Sequence, residues 1–298
     1  MKISKADKVS HLGMPGSNSF QAAKTLFPDA ELLSCGSFQE VIESVSAGDA
    51  DVAVVPIENS IAGRVVDAHG LMLSLDLQIA QEYLLPIEHC LVGRHAGPRL
   101  AAPDELGRIR RVVSHPQALS QCKRFIAERL PNAKVVPAAD TASAVREVAE
   151  NGGDEDAAIG SRSAAEVYGG RVLAVDIADV EHNVTRFLAF TSPDNLEDDG
   201  RNEITTLIFQ VRHTPGALLS ALSAFSAFGV NLMKLETYMI SDEIKHPTFY
   251  VDVGAGLQDE RMKKALETLK EHAIYIKLLG TYQASPDRSA PIGFLPVA

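Results

Sequence analysis

Several features are scarce in this 298-residue chain, and each scarcity removes a class of function. Cysteine occurs three times, at Cys35, Cys90 and Cys122, with no Cys-x-x-Cys pair. So scattered an odd set makes no disulfide framework and reads as reduced thiols packed like small hydrophobes. Basic residues number 28 against 39 acidic ones, a formal net charge of −11, so no surface for neutralising nucleic-acid phosphates is expected. A local basic pocket for a small anion stays open. No apolar run approaches the roughly 20 residues that span a bilayer. Residues 1–10 are charged and lack the apolar core of a signal peptide. The expectation is a cytoplasmic protein with neither a membrane nor a nucleic-acid partner. The nine histidines show no His-x-x-x-His spacing and no Gly-x-Ser-x-Gly elbow is present, so a metal site, a cofactor and an elbow-type hydrolase are not expected.

What is present is alternation. Between residues 9 and 190, short apolar runs at 52–55, 112–113, 135–136, 157–159 and 172–175 read as strands. Residues 116–130 read as one helix, with Ala118, Cys122, Phe125, Ile126 and Leu130 at spacings of three and four. Strand and helix alternating in this way imply an α/β fold with a largely parallel sheet, whose ligands sit beyond the carboxyl ends of strands. Residues 192–200 are acidic and turn-rich and read as a linker. Beyond them the order is strand 204–211, helix 216–228, strands 231–238 and 249–253, helix 258–272 and strand 274–281. That is the ferredoxin-like βαββαβ arrangement. The proline-containing tail from Ser285 reads as loosely ordered.

Polar residues gather where strands end. Gly13 to Ser19 follows a strand, and Ser17, Asn18 or Ser19 would cap the next helix, whose free N–H groups attract anions. The Gly-x-x-Gly spacing is neither the dinucleotide fingerprint nor a P-loop, and a plain capped helix fits equally well. Glu58, Asn59, Ser60 and Arg64 cluster past the strand at 52–55, and Arg64 could hold a carboxylate in bidentate fashion. Ser114, His115 and Gln117 introduce a helix with Pro116 in its first turn, with Ser114 as N-cap by default. Gln121 lies one turn beyond Gln117, so both amides face the same way. Asp140 with Thr141 opens a further helix as its cap. In Asn183-Val184-Thr185-Arg186-Phe187, strand alternation puts Thr185 and Phe187 on one face and Arg186 on the other. Alone, that run reads equally as a strand start or as a site. Hydroxyls, amides and arginines converging at several strand ends suit a small polyanion.

Together these motifs, in this order over residues 9–190, resemble the prephenate dehydratase family. Pro215-Gly216-Ala217-Leu218 and Asn231-Leu232 resemble an ACT amino-acid-sensing domain. The resemblance implies a bilobal, periplasmic-binding-protein-like catalytic domain over 8–192, with lobe one about 8–84 plus 175–192 and lobe two about 85–174. A linker at 193–202, an ACT domain at 203–284 and a tail at 285–298 would follow. The implied reaction is decarboxylating dehydration of prephenate to phenylpyruvate in phenylalanine biosynthesis, without a cofactor. Thr185 and Ser114 would be catalytic, with Ser17, Asn18, Ser19, Asn59, Ser60, Arg64, Gln117, Arg186 and Phe187 holding the substrate. Gly216, Ala217, Leu218, Asn231 and Glu236 would bind phenylalanine as effector, in a homodimer or homotetramer. The alternatives are an arogenate dehydratase and a non-enzymatic ligand-binding or sensor protein. Three departures stand out. Arg64 and Ser17 occupy positions where many members carry a small residue and a threonine, respectively, and Glu236-Thr237-Tyr238-Met239 replaces the usual Glu-Ser-Arg-Pro of the ACT part.

Overall fold

The computed structural model describes residues 2–72, 74, 76–94, 106–198, 200, 202–238 and 246–289. Its elements begin with β1 (Lys2–Ile3), β2 (Lys8–Leu12), α1 (Asn18–Leu26), β3 (Glu31–Cys35), α2 (Phe38–Ser46), β4 (Val52–Asn59), β5 (Gly63–Arg64), α3 (Val66–Leu71) and β6 (Gln78–Pro86). They continue with β7 (Cys90–Gly93), β8 (Arg111–Ser114), α4 (Pro116–Gln121), α5 (Lys123–Arg129), β9 (Lys134–Pro137), α6 (Thr141–Asn151), β10 (Asp156–Gly160), α7 (Arg162–Tyr168), β11 (Arg171–Ala174) and β12 (Val184–Thr191). The C-terminal part holds β13 (Leu196–Glu197), β14 (Ile204–Val211), α8 (Ala217–Ser226), β15 (Leu232–Tyr238), β16 (Thr248–Val253), α9 (Glu260–His272) and β17 (Ala273–Tyr282).

Two α/β lobes form the first two thirds. Lobe one is the sheet β3-β2-β4-β12-β6 with β5 beside β4, and lobe two is β11-β7-β10-β8-β9. The wound strands run parallel, as the alternation predicts. Among the described strands, lobe one also carries the reversed strand β12 and the short reversed β5, and lobe two the reversed strand β7. The cause is topological. Strands β4 and β10 aim their carboxyl ends at the space between the lobes, and β7 and β12 enter from that space, so each must run away from it. Cys90 accordingly sits opposite Gly160, and Thr185 opposite Asn59.

The C-terminal sheet, β15-β16-β14-β17, is antiparallel throughout. Alternation splits its faces. Leu207, Phe209, Val251 and Val253 pack under α8 and α9. Ile204, Ile208, Tyr250 and Tyr282 share one core with Ile79, Leu188 and Phe190 of lobe one. At Gly280 the backbones approach so closely that a Cβ would lie 2.3 Å from the Ile79 carbonyl oxygen.

Three expectations need correction. The helix expected over 116–130 breaks at Cys122, whose φ of −117° and ψ of 20° leave the helical region. Asp179 intrudes there, donating its N–H to the Gln121 carbonyl at 2.6 Å and accepting the Arg124 N–H. The expected linker is anchored, since Leu196 and Glu197 pair with β1. The tail is ordered through Ser289: Ser285 is buried and Arg288 forms ion pairs with Glu82 and Asp252. Residues 290–298 lie outside the described residues. Cys90 and Cys122 are fully buried, and burial pushes their thiols up to about 11 and 12.

Candidate active site

Between the lobes lies a cavity of about 490 Å³. Lobe one lines it with Asn18, Asn59, Arg64, Asn183 and Thr185, and lobe two answers with His115, Gln117, Gln121, Asp140 and Thr141. Ile87 and His89, on the segment crossing between the lobes, complete the wall. Three helices, α1, α4 and α6, begin at this cavity, which brings the positive ends of their dipoles towards it. Arg64 is the sole lysine or arginine lining it among the described residues.

A chain of side-chain hydrogen bonds crosses from lobe two to Thr185. His89 Nε2 lies 2.7 Å from Gln121 Oε1, an acceptor, so the ring donates there. Burial holds His89 below the ordinary histidine range, and the Gln121 contact only partly offsets this. The Asn183 amide donates to the same Gln121 oxygen at 3.4 Å, and Asn183 Oδ1 accepts from Asn59 Nδ2 at 2.6 Å. Asn59 Nδ2 also donates to Thr185 Oγ1 at 2.9 Å. The orientation of the Asn59 amide is fixed, because its Oδ1 accepts the Ile61 and Ala62 N–H groups. Thr185 Oγ1 is therefore an acceptor towards Asn59, which leaves its own proton to point elsewhere, into the cavity. His115 Nδ1 accepts the Gln117 N–H at 3.3 Å as cap of α4, leaving Nε2 as the donor of that ring.

Of the residues singled out in the sequence, Thr185, Asn18, Asn59, Arg64 and Gln117 line the cavity. Others do not. Ser114 is fully buried and donates to the Ile159 carbonyl at 2.6 Å, stitching β8 to β10 while His115 takes the capping role expected of it. Ser17 caps α1, accepting from Phe20 N and donating to the Leu12 carbonyl. Ser19 is buried and absent from the lining. Ser60 donates to the His182 carbonyl and accepts the Val184 N–H, tying the return segment to β4. Phe187 shares the Thr185 face but lies one pleat deeper, packed with Ala22, Ala23, Val54 and Leu85 under α1.

Arg186 is the largest correction. It emerges on the opposite face, is 3% exposed, and meets Glu82 Oε2 at 2.9 Å, Asp252 Oδ2 at 2.6 Å and Tyr282 Oη at 2.9 Å. Period-two alternation forbids neighbours on one strand from serving one ligand, so Thr185 and Arg186 cannot both face the cavity. Burial alone would push the Asp252 carboxyl up, but Arg186, Arg288 and the Thr206 hydroxyl outweigh it and hold Asp252 down to about 2.

Gly13 and Gly16 both take positive φ, and a Cβ on Gly16 would lie 2.6 Å from Ala164 Cα. The Gly16 carbonyl accepts from Ser161 and that of Pro15 from Tyr168, so this turn docks lobe one on lobe two. The suggested effector residues do not converge within one chain. Gly216, Ala217 and Leu218 begin α8 at the Thr248 end of the sheet, whereas Asn231 adjoins Leu232 at the Val253 end. Glu236 lies on the face turned towards lobe one, where it meets Lys234 and Arg64. Met239 lies outside the described residues. The sequence reading missed His89, which no motif flags, left His115 without a role in the site and treated Asp140 as a cap only. His115 and Asp140 are caps that also line the cavity.

The model of the family described as prephenate dehydratase matches residues 9–195. The bifunctional N-acyl-homoserine lactone acylase/prephenate dehydratase of Komagataeibacter europaeus is 35% identical, over 95% of this chain and 98% of that protein. Arogenate dehydratase/prephenate dehydratase 2 of Arabidopsis thaliana is 33% identical, over 92% of this chain and 72% of its own. Among solved structures, the prephenate dehydratase of Arthrobacter aurescens in complex with L-Phe superposes with a TM-score of 0.81 at 32% identity, covering 93% of this chain and 90% of that one. A structure described as a novel type of quorum-quenching acylase gives a TM-score of 0.84 at 35% identity, covering 94% and 99%. With matching residues spread over both lobes and the site between them, the chain belongs to the prephenate dehydratase family.

Proposed function

We propose that the cavity binds prephenate, or its amino analogue arogenate, and that Thr185 assists departure of the ring hydroxyl. The observation that carries this reading is the Asn59 amide donating to Thr185 Oγ1, which frees the threonine proton for a ligand. In the reaction the bond from the ring to its carboxylate breaks and carbon dioxide leaves. The electron pair enters the ring and expels the hydroxyl at the opposite carbon, which departs as water after gaining one proton. Aromatisation supplies much of the driving force, so the protein's task is orientation and help to the leaving oxygen. A threonine hydroxyl is too weak an acid to give up its proton without replacement, so Thr185 hydrogen-bonds the leaving oxygen and relays a proton. Asn18 at the start of α1, Thr141 at the start of α6 and Arg64 face the two carboxylates, since helix N-termini and a guanidinium both favour anions. Gln117, Gln121 and Asn183 supply neutral donors that orient the ring.

Residues 8–192 form the catalytic domain in this reading, with the lobes joined through 86–90 and 174–184. Residues 203–284 act as an ACT-type module through which phenylalanine inhibits. Gly216 and Asn231 lie at opposite ends of one sheet, so an effector site using both requires a second copy of the chain. The exposed apolar residues Met233 and Leu235 on edge strand β15 support such pairing. No helix among the described residues is long and apolar enough to cross a membrane.

The test follows product absorbance with prephenate and with arogenate. Thr185→Ala is expected to lower kcat by about 10²–10⁴, the span of one proton-handling group, and Thr185→Ser to regain part of it. A folded Thr185→Ala protein with near-normal turnover overturns the role of Thr185. Phenylalanine without effect at millimolar concentration removes the regulatory part.

A further inference from the structure

Arg64 stands at two sites at once. It lines the cavity from β5, while its Nη1 donates to the Thr237 carbonyl on β15 at 2.8 Å. The same nitrogen lies 3.9 Å from Glu236 Oε2, and the guanidinium carbon lies 6.0 Å from the centre of the Tyr238 ring. Glu236 in turn meets Lys234 at 3.4 Å, and Lys234 pairs with Glu58 at 2.5 Å. Glu58 and Asn59 are successive residues of β4, and Arg64 sits directly opposite Glu58 in the ladder. Four charges of alternating sign thus run from the strand that carries Asn59, through β15, back to Arg64 at the cavity.

A guanidinium carries five N–H donors, and the bond to Thr237 uses one. The contact with Glu236 is too long for a hydrogen bond, so Glu236 attracts Arg64 without occupying its fork. The Arg64 side chain keeps 25% of its surface exposed, which leaves the fork open to a ligand.

We propose that Arg64 is a substrate-carboxylate ligand held in tension by the C-terminal unit, so that β15 sets substrate affinity by competing for its guanidinium. The proposal rests on the reading of the cavity as the dicarboxylate site. A substrate carboxylate and Glu236 seek the same charge, and strengthening one weakens the other. By linkage, anything that moves Glu236 or the Thr237 carbonyl changes substrate binding, and bound substrate changes the position of β15 to the same degree.

A double-mutant cycle on KM, with kcat followed in parallel, tests it in the full chain. Arg64→Met should raise KM about tenfold or more, the loss of a charge-assisted pair of hydrogen bonds, with kcat nearly unchanged. Arg64→Lys, which keeps charge but not the fork, should recover part of that loss. Glu236→Gln should lower KM by about threefold, as expected for release from a partly exposed ion pair. The same Glu236→Gln change in the Arg64→Met chain should leave KM where it was. An equal fall in KM in both backgrounds shows Glu236 acting on the substrate directly and overturns the proposal, as does Arg64→Met with unchanged KM. Absence of turnover of prephenate and arogenate by the wild-type chain removes the substrate reading and this proposal with it. Turnover without the expected coupling removes the proposal alone.

Discussion

Two polar seams join the C-terminal sheet to lobe one, and they differ in nearly every physical respect. The inner seam is Arg186, Glu82, Asp252, Tyr282 and Arg288, with Glu82 and Asp252 side chains at 0% exposure and Arg186 at 3%. Every member is hydrogen-bonded: Glu82 also accepts the Ser285 N–H, and Asp252 the Thr206 hydroxyl. The outer seam is Glu58, Arg64, Lys234 and Glu236, whose side chains are between 11% and 31% exposed. The inner seam has two cations for two carboxylates, and none of its members lines the cavity, so it holds without meeting a ligand. The outer one has spare guanidinium donors at the cavity edge, so it can exchange partners. Both flank the β4 and β12 ends that carry Asn59 and Thr185, one beneath the sheet and one at its rim. Burial, not charge count, separates a fastener from a switch.

The sharpest way to break this contrast is to remove the centre of the inner seam. Arg186→Met leaves two buried carboxylates facing Arg288 alone and should cost about 3–5 kcal/mol of stability, read as a fall in Tm and denaturant midpoint. An unchanged midpoint would mean that the buried network contributes nothing to the junction.

Between the seams lies His69, 1% exposed, with its ring 5.2 Å from that of Tyr250. Burial, reinforced by the positive charges of Lys234 and Arg64, pushes His69 down to about 3. The unfolded chain titrates its histidine near 6.5, so between about 3 and 6.5 the unfolded state binds more protons. Stability should therefore rise with pH across that window, by at most about 1.4 kcal/mol per unit from this group. His11 and His89 are lowered as well and add slope of the same sign. Chemical denaturation at stepped pH should show a shallower slope in His69→Phe than in the wild type; identical slopes would exclude His69 as a contributor.

A smaller effect is expected at the rim. Glu58→Gln breaks the contact with Lys234 and, for a partly exposed pair, should cost about 1 kcal/mol or less while shifting KM through Arg64. A stability loss matching that of Arg186→Met would erase the distinction between the seams. Smallest of all is salt. Raising ionic strength to about 1 M shortens the screening length to roughly 3 Å, which weakens exposed pairs far more than buried ones. KM should rise with salt in the wild type and less so in Arg64→Met, with little change in Tm.

Much of the α/β alternation was legible because it is local, whereas the division into two lobes came only with the family resemblance. Apolar runs of strand length and helices at spacings of three and four name the elements, and strand alternation correctly separated Thr185 from Arg186. The site was legible where a motif ends a strand at the cavity, as with Asn59, Thr185 and Gln117. It was misread where the motif does two jobs. Ser114, Ser60 and Ser17 stand among site residues in the sequence, yet their hydroxyls are consumed by carbonyls and caps that hold the strand ends in place. His89 carried no signal, since a single histidine between two strands acquires meaning only when Gln121 and Asn183 arrive beside it.

The sequence by itself determined the α/β alternation and the face to which Thr185 turns, which follow from periodicity, and its motifs in their order carried the resemblance to the family. Tertiary structure alone decided the partner of Arg186. Its guanidinium, read as an anion ligand, meets Asp252 and Tyr282 from strands more than 60 residues away. Charges that far apart in the chain leave no local pattern, and only the packing of one sheet on another brings them within bonding distance.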